Sequence, residues 1–261
     1  MSKLVFITGA SSGIGQALAA RFHQAGYRLA LVARRVDEVK QWADRHSIDA
    51  KSYQIYSADV ALPDSIIAAG RQCMEAQGLP DVVIASAGVS IGVDSAVRED
   101  LEVMAQTFAI NNTGLAATFH PFIDGMVARR SGALVGIASV AAIRGLPGHG
   151  AYCASKAGVV AYLESLRGEM RAASGVRGVK VVTIVPGYID TPLTQGNRYP
   201  MPFLMPADAF ADRAFRAVEA GTSYRVIPWQ MGVVAKLLRA LPNPLYDRLL
   251  AGRPRKKRRG E

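Results

Sequence analysis

The sequence predicts an α/β fold, a doubly wound parallel sheet of seven strands with helices on both faces. Short apolar runs alternate with longer stretches of helical periodicity from the first residues onward, the order expected of repeated β-α-β units. Several runs, such as Leu29-Ala30-Leu31-Val32-Ala33 and Val82-Val83-Ile84-Ala85, are apolar throughout instead of alternating, as in strands covered on both faces. With 261 residues, 50% of them hydrophobic and 20% charged, the chain can build one large core.

In chain order the predicted strands are Lys3–Thr8, Arg28–Ala33, Ser52–Ser57, Val82–Ser86, Ala133–Ser139, Val179–Val185 and Tyr224–Ile227. Between them lie predicted helices over Ile14–Ala25, Asp64–Ala76, Leu101–Met126, Tyr152–Ala173 and Ala207–Ala220, each closed by Gly, Pro or a polar turn. No internal repeat or linker interrupts this series. Residues 1–228 are therefore expected to form one domain, followed by an amphipathic extension over 229–252 and a disordered basic tail over 253–261.

Composition narrows the function. Two cysteines, Cys73 and Cys153, and four scattered histidines provide neither a disulfide framework nor metal-ligand spacing. No apolar stretch reaches the roughly 20 residues of a membrane span. The apolar run Leu4–Ile7 is too short for a signal peptide, so a cytoplasmic location is expected. The formal net charge is +10, and half of it lies in the last few residues, where Arg253, Arg255, Lys256, Lys257, Arg258 and Arg259 outweigh Glu261. That run has no interleaved aromatics for stacking on bases, which argues against a specific nucleic-acid site.

The first strand runs into Gly9-Ala10-Ser11-Ser12-Gly13-Ile14-Gly15 and then into a helix. Three glycines stand where the chain turns tightly, and N–H groups at the helix start would face a pyrophosphate. Read alone the loop is equally a plain tight turn, but its position after the first strand of a βα series favours the phosphate. Its spacing, Gly-x-x-x-Gly-x-Gly, resembles that of the short-chain dehydrogenases/reductases. Tyr152-Cys-Ala-Ser-Lys156 fits the Tyr-x-x-x-Lys of that family, Ser139 precedes the tyrosine at the usual interval, and Asn111-Asn-Thr-Gly114 fits Asn-x-x-Gly. The resemblance extends from Lys3 to about Ile227 and implies a Rossmann-type sheet, a nicotinamide cofactor and a small-molecule carbonyl or alcohol substrate.

The same resemblance makes Gly9, Ser11, Ser12, Gly13, Ile14 and Gly15 the phosphate-binding loop. An acidic residue after the second strand would bind the adenosine ribose of NAD. This chain has Arg34 and Arg35 there, which could pair with the 2′-phosphate of NADP(H), although a solvated basic turn is the alternative. Asp59 and Val60 resemble the adenine contacts. Ser86-Ala87-Gly88 replaces the usual Asn-Ala-Gly, a change expected to keep the backbone shape. Pro186, Gly187, Ile189 and Thr191 resemble the segment that holds the nicotinamide end.

Reduction of a carbonyl requires a hydride on carbon and a proton on oxygen, and the cofactor supplies only the hydride. Tyr152 is the candidate acid, with an ordinary pKa of about 10. Lys156, one helical turn on, would share its face and favour the phenolate. By resemblance Lys156 also binds the nicotinamide ribose, Ser139 hydrogen-bonds the substrate oxygen, and Asn111 holds a water that relays protons from Lys156 to solvent. Cys153 points away around the helix and is expected to pack, and His149 is expected to be a solvated loop residue. A dinucleotide-binding sensor without turnover is the alternative reading, though it would need the glycine loop more than the proton donor.

In Tyr199–Pro206, the apolar residues Met201, Phe203, Leu204 and Met205 fit either a lid over a hydrophobic substrate or packing onto the domain. By the resemblance a homodimer or homotetramer is expected, associating through helices like Leu101–Met126 and Tyr152–Ala173. Val233, Val234, Leu237, Leu238 and Leu241 recur at helical spacing, and that apolar face is expected to dock on the domain or another subunit, with covering of the active site as a further alternative. Peripheral membrane contact is the less favoured alternative.

Overall fold

The apolar runs form strands because each of their residues has a helical layer to face. The computed structural model describes residues 2–197, 199–252 and 254–261. Its strands are β1 (Leu4–Thr8), β2 (Arg28–Ala33), β3 (Tyr53–Ser57), β4 (Val82–Ala85), β5 (Ala133–Ile137), β6 (Lys180–Pro186), two short strands β7 (Ile189–Asp190) and β8 (Met205–Pro206), and β9 (Tyr224–Ile227). Seven of them pair in parallel in the order β3-β2-β1-β4-β5-β6-β9, while β7 and β8 pair separately.

The α-helices among the described residues are α1 (Gly13–Gln24), α2 (Val36–Arg45), α3 (Pro63–Gln77), α4 (Asp100–Phe108), α5 (Gly114–Arg129), α6 (Gly150–Ser174), α7 (Pro192–Gln195), α8 (Ala207–Glu219), and, after the last strand, α9 (Trp229–Ala240) and α10 (Asn243–Leu250). The twofold alternation of a strand divides β1 between two cores. Val5 and Ile7 join Leu18 and Phe22 of α1, Trp42 of α2 and Phe210 of α8. Leu4 and Phe6 join Ile66 of α3, Phe122 of α5 and Leu163 of α6 on the other side. The Phe6 and Phe122 rings meet edge-on, 4.9 Å apart, and emptying such a site costs about 3–5 kcal/mol.

The direction of winding reverses between β1 and β4, which are neighbours in the sheet. The chain therefore leaves these strands toward opposite faces, opening a crevice at their carboxyl ends where ligands bind.

Four features differ from the sequence reading. The helix expected over Leu101–Met126 is two helices joined by a wider, π-type turn over Ala109–Thr113. Helix α2 was not anticipated, although Val39, Trp42 and Ala43 form its buried stripe. On α9 the buried side is Met231, Gly232 and Ala235, while Val233 and Leu237 are exposed. The small residues face inward because Gly232 lies against Val226, where a β-carbon would stand 3.2 Å away. Finally, the tail expected to be disordered is laid against the domain over residues 254–261, Arg253 being outside the described residues. No helix among the described residues is long and apolar enough to cross a membrane.

Candidate active site

A cleft of about 240 Å³ opens at the carboxyl ends of β1 and β4. Every residue singled out above for the cofactor lines it, together with Ser139, Tyr152 and Lys156. Asn111 is buried behind the wall. A larger hollow of about 860 Å³ between α6, α10 and residues 141–147 is lined by neither Ser139 nor Tyr152.

Two glycines shape the phosphate end. Gly9 has φ +72°, and a β-carbon there would lie 2.8 Å from Ala87 Cα, so only glycine lets the ends of β1 and β4 close together. Gly15, in the first turn of α1, lies against Gly9, where a β-carbon would collide with the Gly9 carbonyl. The resulting turn aims the free N–H groups of the helix start into the cleft. Thr8, a residue the reasoning from sequence passed over, fixes the second loop: its Oγ1 accepts from Ser86 N (3.2 Å) and Ala87 N (3.3 Å). The backbone after β4 thus keeps its shape with serine at position 86.

At the end of β2, Arg35 donates to Ser11 Oγ (3.2 Å) and pairs with Glu38 (3.1 Å), and Arg34 pairs with Asp59 (3.4 Å). Asp59 also accepts from Ala61 N (2.9 Å). The two guanidiniums and the Ser11 hydroxyl therefore converge on one corner of the cleft.

The chemistry-bearing residues sit around α6. Tyr152 is hydrogen-bonded to Ser139, but burial outweighs that bond and pushes its phenol above the ordinary tyrosine range. The expected lowering by Lys156 is not what governs this group. Lys156 is itself 5% exposed, donates to Ile137 O (2.8 Å), and is pushed down to about 8 by burial. Its Nζ lies 5.9 Å from the centre of the Tyr152 ring.

Asn111 lies in the π-type turn, a distortion common at functional sites. Its Oδ1 accepts from Val89 N (2.9 Å), and its Nδ2 donates to Val89 O (3.0 Å) and Ser155 Oγ (2.9 Å). Both amide protons are used, so the side chain clamps the post-β4 loop to α6 and has only an oxygen lone pair left for a water. Gly114 allows the start of α5 to approach the Val60 carbonyl, which a β-carbon would strike.

On the substrate side His149 is buried, in contrast to the solvated residue expected. Its Nε2 meets Tyr199 OH at 3.2 Å, and burial pushes its pKa below the ordinary histidine value. Tyr199, missed as a site residue, packs near Tyr188 with ring centres 6.2 Å apart. Its position in the apolar loop was the available signal. Of that loop, Phe203 and Leu204 are exposed and Met205 is buried beside Ile189. Cys153 is buried, and its thiol is pushed up by that burial. No group of metal-ligating side chains occurs among the described residues.

Comparison with known proteins gives a consistent result. The sequence profile described as short chain dehydrogenase matches residues 3–201. An uncharacterized oxidoreductase of Myxococcus xanthus is 35% identical over 245 residues, covering 94% of this chain and 95% of that protein. Dehydrogenase/reductase SDR family member 7B of Mus musculus is 31% identical over 276 residues, covering 99% of this chain and 83% of the mouse protein. Among solved structures, a short chain dehydrogenase/reductase from Burkholderia phymatum in complex with NAD has a TM-score of 0.81 at 23% identity, covering 90% of this chain and 92% of that one. An alcohol dehydrogenase from Thermococcus sibiricus complexed with 5-hydroxy-NADP has a TM-score of 0.75 at 24% identity, covering 87% and 96%. The chain belongs to the short-chain dehydrogenase/reductase family of oxidoreductases.

Proposed function

We propose that the protein is an NADP(H)-dependent oxidoreductase that interconverts a carbonyl group and a secondary alcohol on a hydrophobic small molecule. The observation that carries this reading is the Ser139–Tyr152–Lys156 cluster: a half-buried phenol hydrogen-bonded to a hydroxyl, one helical turn from a buried ammonium, in a cleft that ends in a glycine cradle. When bound, the dinucleotide supplies or takes the hydride.

The residues of this chain handle the proton and the oxygen. Burial keeps Tyr152 protonated through neutral pH, so it donates to the substrate oxygen during reduction while Ser139 holds that oxygen and stabilises its developing charge. Lys156, cationic below about pH 8, favours the phenolate as the proton leaves. Oxidation of the alcohol needs the phenolate and therefore gains with rising pH. Asn111 positions Lys156 and the post-β4 loop, with its remaining lone pair available to a relay water.

The choice of NADP(H) rests on Arg34, Arg35 and Ser11, a corner suited to a phosphate through charge-assisted bonds. The Thermococcus enzyme holds an NADP derivative and the Burkholderia one NAD, and the arginine pair favours the first. Asp59 and Val60 face the adenine, and Ile189 and Thr191 the carboxamide. Leu101 and Met104, exposed on α4, support association into a homodimer or homotetramer.

The test is fluorescence titration with NADPH and NADH, followed by turnover of apolar ketones and aldehydes. Tighter NADPH binding is expected, with turnover reduced at least about a hundredfold in Tyr152→Phe and cofactor affinity retained. Failure to bind either cofactor would overturn the reading.

A further inference from the structure

The last residues pack against the loops that follow β4, β5 and β6. Gly92 N donates to Lys257 O (2.8 Å), and Gly92 forms a parallel bridge with Arg258. Arg258 grips the buried carboxylate of Asp100 through Nε (2.7 Å) and a second guanidinium nitrogen (3.3 Å). Arg255 pairs with Asp94 (3.6 Å). Two glycines admit this strap: a β-carbon on Gly92 would strike the Lys256 carbonyl, and one on Gly148 would stand 2.8 Å from Arg255 Cβ. Lys256 Nζ donates to Leu193 O (3.0 Å) and Asn197 Oδ1 (2.7 Å). The strap is thus fastened to the segments that follow β4, β5 and β6, and one of its contacts, Leu193, lines the cleft that holds Tyr152. It lies outside residues 3–201, the span matched to the family.

Lys256 differs from its neighbours. Arg255 and Arg258 face carboxylates, whereas the two acceptors of Lys256 are neutral, and among the described residues no carboxylate pairs with it. The side chain is partly buried, and burial lowers its pKa. A half-buried cation whose two acceptors are neutral has a donor left for an anion, and such a charge-assisted bond is stronger than a neutral one. Its acceptor Leu193 lines the same cleft as Tyr152, so the ammonium stands at the rim of that cleft. Nearby, the strap packs on Gly148, and the adjoining His149 is hydrogen-bonded to Tyr199, whose ring also packs near Tyr188.

We propose that residues 254–259 complete the substrate site and that Lys256 is a specificity-determining residue, selecting carbonyl compounds that carry an anionic group at the far end of an apolar body. The carbonyl part of this assignment rests on the oxidoreductase reading above, and the anion site stands on its own geometry.

The experiment is calorimetric titration of the full chain, with cofactor present, against a series of ω-keto carboxylates of increasing length and their methyl esters. Wild type should prefer the carboxylate by about tenfold at the best-fitting length, the worth of one charge-assisted hydrogen bond. Lys256→Gln should close that gap, and Lys256→Arg should restore part of it. Gly92→Ala, which displaces the strap while leaving all its charges, should also close it. Equal affinity of acid and ester in wild type, binding of neither, or a gap that survives Lys256→Gln would overturn the proposal. Turnover of the same compounds separates the two readings: a gap without turnover removes the oxidoreductase and leaves the anion site, while Tyr152-dependent turnover without a gap does the reverse.

Discussion

Gly15 and Gly92 serve the same steric purpose in differently built parts of the molecule. Each lacks a side chain because a backbone carbonyl presses on it, that of Gly9 in one case and of Lys256 in the other. The first contact is local and rests on β1 and α1, whose Val5, Ile7, Leu18 and Phe22 are fully buried. The second joins distant parts of the chain and rests on hydrogen bonds and ion pairs, with Arg255 and Lys257 exposed. Apolar burial is indifferent to salt, whereas partly exposed ion pairs are screened and individually weak. The β1–α1 cradle should therefore be constant, and the strap conditional.

The sharpest test of that contrast is Lys156, a charge buried on the constant side. Lys156 is held down to about 8 from an ordinary value of 10.5, a penalty of about 3 kcal/mol at neutral pH. The folded pKa is depressed, so the penalty is fully present below about pH 8 and gone above 10.5. Lys156→Met should accordingly raise Tm near neutrality while abolishing activity, with the gain in Tm fading as pH rises through that window. A gain independent of pH would mean that packing, and not charge, sets the difference.

Next in size is Gly15→Ala. Its methyl has no room beside the Gly9 carbonyl, and overpacking of this kind costs about 1–3 kcal/mol. Because the strain falls on the loop that turns N–H groups toward the phosphates, cofactor affinity should drop by about tenfold to a hundredfold. Isothermal titration would show whether salt alters the loss, and a loss that disappears at high salt would contradict the steric account.

The same contrast explains what could be read from sequence. The glycine loop was legible because Thr8 to Gly15 are contiguous and each constraint lies within the segment. The central strands were legible because burial on both faces leaves them uniformly apolar. The break between α4 and α5 was not, since helical periodicity runs through Ala109–Thr113 and the turn is fixed by remote partners, Val89 and Ser155. His149 reads as a loop residue until Tyr199, fifty positions on, covers it. The basic tail reads as solvated because Asp100, the partner of Arg258, is 158 positions away, and six cations together resemble a solubilising run. The glycine loop and the central strands thus declared themselves locally, while the surroundings of His149 and the tail depended on tertiary pairing.

Asp100→Asn should have the smallest effect. The Arg258 guanidinium first, and Asp94 N–H second, hold the Asp100 carboxyl below the ordinary carboxylate range. With a depressed folded pKa, the ionic anchor is intact above that range and is lost as pH falls through the lowered value. Asparagine keeps the shape and one acceptor but removes the charge, and the bonds from Gly92 to Lys257 and from Lys256 to Leu193 and Asn197 remain. The strap should therefore loosen without leaving. Hydrogen exchange at the Gly92 amide, whose acceptor is Lys257 O, should quicken a few-fold near neutrality, and the difference from wild type should shrink in high salt and in acid. Exchange at Val5 and Ile7 in β1 should be the same in both proteins. If β1 responded as strongly as Gly92, strap and core would unfold as one cooperative unit, and the conditional character assigned to the strap would be lost.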